Sequence, residues 1–137
     1  MRHWCNPFLV RDGLAAQEFA LLVPVFIAFV LLLVAGAGLA WTQQVLQETA
    51  QNTARCMAAE PTTCSSTSAI QTYATTRAAH DGLTLSAATI TPLSNQTCNG
   101  VAGMNQVTIS IAYTPLSGTL FSGAITLSAV ACYPTIA

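Results

Sequence analysis

Gly13-Leu14-Ala15-Ala16-Gln17-Glu18-Phe19-Ala20-Leu21-Leu22-Val23-Pro24 opens an apolar run that continues to Ala40 and ends at Trp41. From Phe19 to Ala40 the run is 22 residues long. That is enough to cross a hydrocarbon core of ~30 Å, whereas a secretory signal core is about 7–15 residues. One carboxylate, Glu18, stands at its mouth. An ionised Glu within hydrocarbon is disfavoured by roughly 2–3 kcal/mol or more, and such groups usually pair with a partner or mark function. Cleavage after Gly13 would make Leu14 a new N-terminus, with its amine available to Glu18 of a neighbouring subunit. The span would then be an assembly element as well as an anchor. The simpler reading places Glu18 at the headgroup boundary, stabilising the first helical turn through the helix dipole.

Charge placement gives the span a direction. Arg2 and Arg11 precede it, and the next basic residue, Arg55, lies well beyond its far end. By the positive-inside tendency, residues 1–13 are cytoplasmic and the rest is exported. Loss of residues 1–13 leaves Arg55 and Arg77 against Glu18, Glu48, Glu60 and Asp81, a net charge of −2. A cleavable signal peptide is the competing outline, because Ala35-Gly36-Ala37 and Ala37-Gly38-Leu39-Ala40 offer small residues to a signal peptidase. The length of the apolar run argues against it.

The stretch Gly13-Leu14-Ala15-Ala16-Gln17-Glu18-Phe19, with Pro24 inside the following helix, resembles the processing site of the TadE-like minor pilins of the tight-adherence (Flp) pilus system. The resemblance is good from about Arg11 to Met57. Ala54-Arg55-Cys56 with a second cysteine, a later Tyr-Ala helix and terminal strands are similar to longer members. It implies that a prepilin peptidase cuts after Gly13 and leaves Glu18 at the fifth mature position, followed by the aromatic Phe19. It also implies partners: the peptidase, the major Flp-type pilin, other minor pilins and an inner-membrane assembly platform. The implied location is the bacterial inner membrane, with the head periplasmic or carried into the pilus. Major Flp subunits are little more than the hydrophobic helix, whereas this chain carries about eighty residues after it, so a minor subunit is implied.

Export agrees with the cysteines. Cys5 falls in the leader, and Cys56, Cys64, Cys98 and Cys132 form an even set suited to an oxidising compartment. Four cysteines allow three connectivities, and spacing does not choose among them. The expectation is Cys56 with Cys64, closing a short loop at a helix end, and Cys98 with Cys132, tying the late strands. No C-x2-C pair exists, and His80 lacks a nearby partner, so no zinc site is expected.

The first helix is expected over about Leu14 to Met57, on the order of 65 Å at 1.5 Å per residue and twice what a bilayer needs. Pro24 should loosen it near Ala20; a membrane helix tolerates such a residue where the freed carbonyl is re-satisfied. Trp41 suits an interface anchor, and Gly36 and Gly38 permit close backbone approach. In the outer half Val45/Leu46, Thr49/Ala50, Thr53/Ala54 and Met57 form one stripe, with Gln43, Gln44, Gln47, Gln51 and Asn52 mostly elsewhere. Such spacing buries one face against a head.

Glu60-Pro61 closes that helix. Ser68-Ala69-Ile70-Gln71 reads as a capping box opening a second helix, with Ile70, Tyr73, Ala74 and Ala78 on one face and Asp81-Gly82 at its end. Beyond it the period changes to two: strands are expected at Leu83–Ala87, Val107–Tyr113 and Ile125–Ala131, with turns at Pro92, Asn99-Gly100, Gly103, Pro115 and Gly118. The fold class is α+β and pilin-like. A cytoplasmic leader (1–13), a transmembrane helix (14–41) and an exported head (42–137) carry a small antiparallel sheet on the exported half of the first helix.

Four basic residues, all arginine, leave no electrostatic footprint for nucleic acid. The exported region offers Glu48, Glu60, His80 and Asp81 as its only acid-base candidates and lacks lysine, a phosphate-binding glycine loop and a G-x-S-x-G elbow. No enzyme, cofactor or metal is expected. Asn95-Gln96-Thr97 matches a glycosylation acceptor only as a short pattern. Two functional classes remain: a processed subunit of a pilus, and a permanently anchored periplasmic binding module that is never cut.

Overall fold

The computed structural model describes residues 8–114 and 123–135, with side chains from residue 16 onward. Helices α1 (Phe8–Ala59) and α2 (Thr67–His80) precede strands β1 (Thr89–Cys98), β2 (Val101–Tyr113) and β3 (Ile125–Pro134). The strands form one antiparallel sheet in the order β1-β2-β3. The fold class is therefore the expected α+β. The chain divides between Ala37 and Gly38 into two compact units. The expected turns at Pro115 and Gly118, and Cys5 of the expected leader, lie outside the described residues.

Helix α1 starts at Phe8, six residues before the expected Leu14. No proline interrupts Phe8 to Gly13, and one interior glycine costs only about 1 kcal/mol of helix propensity. It stops at Ala59, where Pro61 forces Glu60 out of helical geometry. The Glu60 carbonyl then accepts from Thr63 N at 3.1 Å and Cys64 N at 3.0 Å. That tight turn returns the chain to the helix, and Cys56 and Cys64 are joined with Cα atoms 6.0 Å apart.

The cap of α2 is Ser66, not Ser68. Its extended backbone (φ −142°, ψ 159°) suits an N-cap, and its hydroxyl accepts from Ala69 N at 3.2 Å. Gln71, expected to complete a capping box, instead donates from Nε2 to Ile90 O of β1 at 3.2 Å. At the other end Gly82 takes φ +78°, Leu83 N donates to Ala78 O at 2.9 Å and Gly82 N to Ala79 O at 3.1 Å. These are the two bonds of a Schellman cap, and Leu83 packs on the core that contains Ala78.

That cap overturns the strand expected at Leu83–Ala87. The alternation there serves the helix end and a following turn, in which Ala88 N donates to Leu85 O at 3.0 Å. The first strand instead begins at Thr89 and contains Pro92 and Asn95, residues that argue against a strand. Both are tolerated because β1 is an edge strand and is bulged between Leu93 and Gln96, where Asn95 has φ +57°. Gly103, expected in a turn, lies inside β2 at φ +77°. Asn99-Gly100 is a hairpin turn: both residues have positive φ (51° and 83°) and join the paired Cys98 and Val101, as a two-residue type I′ connection requires.

One core unites the head. The expected stripe of α1 is buried: Leu46, Thr49, Ala50, Thr53 and Ala54 are fully inaccessible, and Met57 packs against the core edge. Facing it are Ala74 and Ala78 of α2, Val107 and Ile109 of β2, and Ala129 and Ala131 of β3. Small residues on both helices and β3 let three elements converge on the large side chains of Leu46, Val107 and Ile109. The period-two faces expected of β2 and β3 are thus the faces turned inward, except that Ile125 at the start of β3 is exposed.

Truncating Leu46 to Ala should leave a cavity at this convergence and cost about 2–5 kcal/mol, whereas Leu93→Ala, on the exposed side of β1, should change stability by less than about 0.5 kcal/mol. Thermal unfolding of the detergent-solubilised chain measures both. Thr49 carries a buried hydroxyl with no hydrogen-bond partner, so Thr49→Val should keep or raise the melting temperature, because the isostere removes a desolvated polar group.

Candidate functional site

Gly13 and Leu14 lie within the backbone of α1, and their side chains are outside the described ones. Glu18 and Phe19 follow one turn later on the same helix, and Phe19 is 70 % exposed. Glu18 is also exposed and makes no ion pair among the described residues. Pro24 is exposed within an unbroken helical assignment; its missing N–H frees the carbonyl of Ala20. Around these residues Leu21, Leu22, Val25 and Phe26 all point outward. The helix over Ala16–Ala59 contains an 18-residue window of mean hydropathy 2.9 with none of it buried, long and apolar enough to cross a membrane. Such a surface suits contact with lipid or with another apolar helix, and from Ala16 to Ala40 Glu18 is the one charged residue.

The head presents its own constraints on α1. A Cβ at Gly38 would stand 2.9 Å from the hydroxyl of Tyr113 at the end of β2, so glycine there admits the tyrosine, while Gly36 has open space. Thr42 then returns its hydroxyl to Gly38 O at 2.9 Å. Gln43 and Gln47, read from the sequence only as part of a polar face, donate from Nε2 to Ser128 O at 2.9 Å and Val130 O at 3.2 Å. Those carbonyls lie on the free edge of β3. The fit follows from the two repeats: four helical residues rise about 6.0 Å and two strand residues about 6.6 Å. Glutamines four apart were a visible signal, but their acceptor is backbone, which sequence does not mark.

The second disulfide, Cys98–Cys132, has Cα atoms 6.4 Å apart. The first and third strands of a flat sheet lie roughly 9.5 Å apart, and here the two cysteines also occupy different rows: Cys98 pairs with Val101, Cys132 with Gln106. The hairpin tip must fold over to join them, and the bulges at Asn95 and Gly103 provide the bend.

The acid-base candidates are not gathered into a site. Glu48 Oε1 accepts from Arg77 Nη2 at 2.9 Å, and this hydrogen bond is the main cause raising the Arg77 pKa above its ordinary value. His80 is exposed at the last position of α2 and Asp81 caps it. Among the described residues no three His, Cys, Asp or Glu side chains cluster as a metal would need.

No curated protein and no solved structure matches the chain. A family model does: residues 13–55 match that of the TadE-like proteins. The matched segment opens at Gly13, contains Glu18, Phe19 and Pro24, and runs through the buried stripe of the head to Arg55, one residue short of the first disulfide. Over these residues, about a third of the chain, the sequence is similar to the TadE-like proteins.

Proposed function

We propose that this chain is a minor pilin or pseudopilin that prepilin peptidase cuts after Gly13 and that takes part in assembling a tight-adherence pilus for surface attachment. The observation that carries the reading is Glu18: an exposed carboxylate without an ion-pair partner among the described residues, five residues past Gly13, at the start of an exposed apolar segment of the helix. A charge so placed is costly in lipid, and an amine from a neighbouring subunit's new N-terminus at Leu14 offsets that cost. The same pairing would set the register of one helix against the next, with Phe19 and the outward apolar side chains supplying contact area. The TadE-like match over the same residues supports the reading.

On this reading the chain sits in the bacterial inner membrane with its head in the periplasm. Its partners are the peptidase, the major Flp-type pilin, other minor pilins and the assembly platform. Its work is mechanical, and no catalytic role is assigned to it.

The test is the intact mass and N-terminal sequence of the membrane-extracted protein, produced with and without its prepilin peptidase. A peptidase-dependent start at Leu14, abolished by Gly13→Leu, is the expected result. Glu18→Ala should then strongly reduce piliation while the head keeps its melting temperature and both disulfides. A start at Met1 under both conditions, or normal piliation by Glu18→Ala, would overturn the assignment in favour of a permanent membrane anchor; a start between Leu39 and Thr42 would make the chain a secreted protein.

A further inference from the structure

The glutamine contacts between α1 and β3 stop at Val130. Gln51 is the next residue in the i, i+4 series and Cys132 the next position on the strand edge, yet no hydrogen bond joins them. Between helix, strand and the folded-over hairpin tip lies an open cleft of about 880 Å³. That volume lies within the range of about 300–1,000 Å³ usual for small-ligand sites. Its wall carries Gln47, Gln51 and Asn52 from one side of α1, Gln106 from β2, Tyr133 from β3, and Arg55. Among the described residues Arg55 is the only charged side chain in the lining, and it makes no ion pair. Among the described residues the side chains of Gln51, Asn52 and Gln106 likewise make no hydrogen bond, whereas Gln47 is held by Val130 O.

From this wall we infer that the head binds a hydroxyl-rich ligand carrying a carboxylate, of the acidic-saccharide class. Each carboxamide both donates and accepts, which suits hydroxyl groups that do the same. The Arg55 guanidinium offers two parallel N–H donors to a carboxylate, the strongest geometry such a pair has. Tyr133 adds an amphipathic ring on which the apolar side of a sugar can lie. A single cation is too little for a phosphate polymer. An extended peptide added to the edge of β3 is disfavoured, because the Ser128 and Val130 carbonyls it would need are already taken by Gln43 and Gln47. The Cys98–Cys132 bridge holds the hairpin tip in place, so the cavity wall exists before the ligand arrives. None of this depends on cleavage at Gly13; it requires only the folded head.

The experiment is calorimetric titration of the full chain in detergent micelles with trigalacturonate, with galactotriose as the neutral counterpart and an acidic tripeptide as the peptide counterpart. Wild type should bind trigalacturonate, and Arg55→Gln should weaken that binding on the order of tenfold or more, the loss expected for one charge-assisted contact. Galactotriose should be weaker than trigalacturonate by a similar factor. Arg77→Gln, which removes the cation already paired with Glu48, should bind like wild type. Gln51→Leu, on the same wall and exposed, is held to the same expectation of weakened binding and covers the case in which Arg55→Gln alters the fold. No binding of trigalacturonate by wild type up to roughly 10 mM, equal binding by the Arg55 and Arg77 variants, or tighter binding of the tripeptide would each overturn the inference.

Discussion

A three-stranded sheet has one apolar face too many to stand alone in water, and here the outer turns of α1 must cover it. Everything in the head is arranged around that burial. The stripe from Leu46 to Ala54 is inaccessible, α2 closes the flank with Ala74 and Ala78, and β3 meets the helix with Ala129 and Ala131. Alanines at these crossings leave room for Leu46, Val107 and Ile109 between the elements, and Gln43 and Gln47 reach carbonyls of β3 from the helix. A larger residue at Ala50 or Ala54, both fully buried, would overpack this core. The same glutamines blunt one sheet edge, which would otherwise remain open to pairing with another chain.

The disulfides act on different parts of this arrangement. Cys56–Cys64 closes eight residues of sequence separation and fixes where the chain leaves α1 for α2. Cys98–Cys132 spans 34 and ties the hairpin tip to β3. In the chain-entropy account the longer closure restricts the unfolded chain more, by roughly 4 against 2–3 kcal/mol. Its structural effect is larger too, since β2 lies between the bridged strands and the tip has to curl across it. Two residues with positive φ inside the strands, Asn95 and Gly103, supply that curl.

What the sequence made legible follows the strength of its periodicities. The buried stripe of α1 and the inward faces of β2 and β3 could be read residue by residue, because burial on one side imposes a period of 3.6 or 2 over several repeats. Leu83 and Leu85 imitate the second pattern over only five residues, too short to separate a strand from a Schellman cap followed by a turn. The real first strand was hidden for the opposite reason: Pro92 and Asn95 look like breakers, and only an edge position with a bulge accommodates them. Ser66 and Ser68 are equally good caps by composition, so the choice fell to backbone geometry. Gly13, Glu18 and Phe19 were legible as a pattern, and the TadE-like match opens on the same residues. The cavity was not, since Gln47, Gln51, Asn52 and Arg55 resemble an ordinary solvated face until a strand is placed beside them.

The TadE-like match covers about a third of the chain. It runs from residue 13 to residue 55, and so takes in the apolar segment and nearly the whole stripe on which the head is built, but neither α2 nor the sheet. A helix of this kind is a platform with two faces set by different solvents: apolar all round where it suits lipid or a neighbouring helix, and amphipathic where a head lies on it. The platform constrains its cover only through small residues at the crossings and polar groups able to reach a strand edge. Many covers satisfy that requirement. Residues that belong to the platform can therefore also serve the cover's chemistry, and Arg55 is such a case, ending the matched segment while its guanidinium faces a cavity that α2 does not touch and the sheet completes.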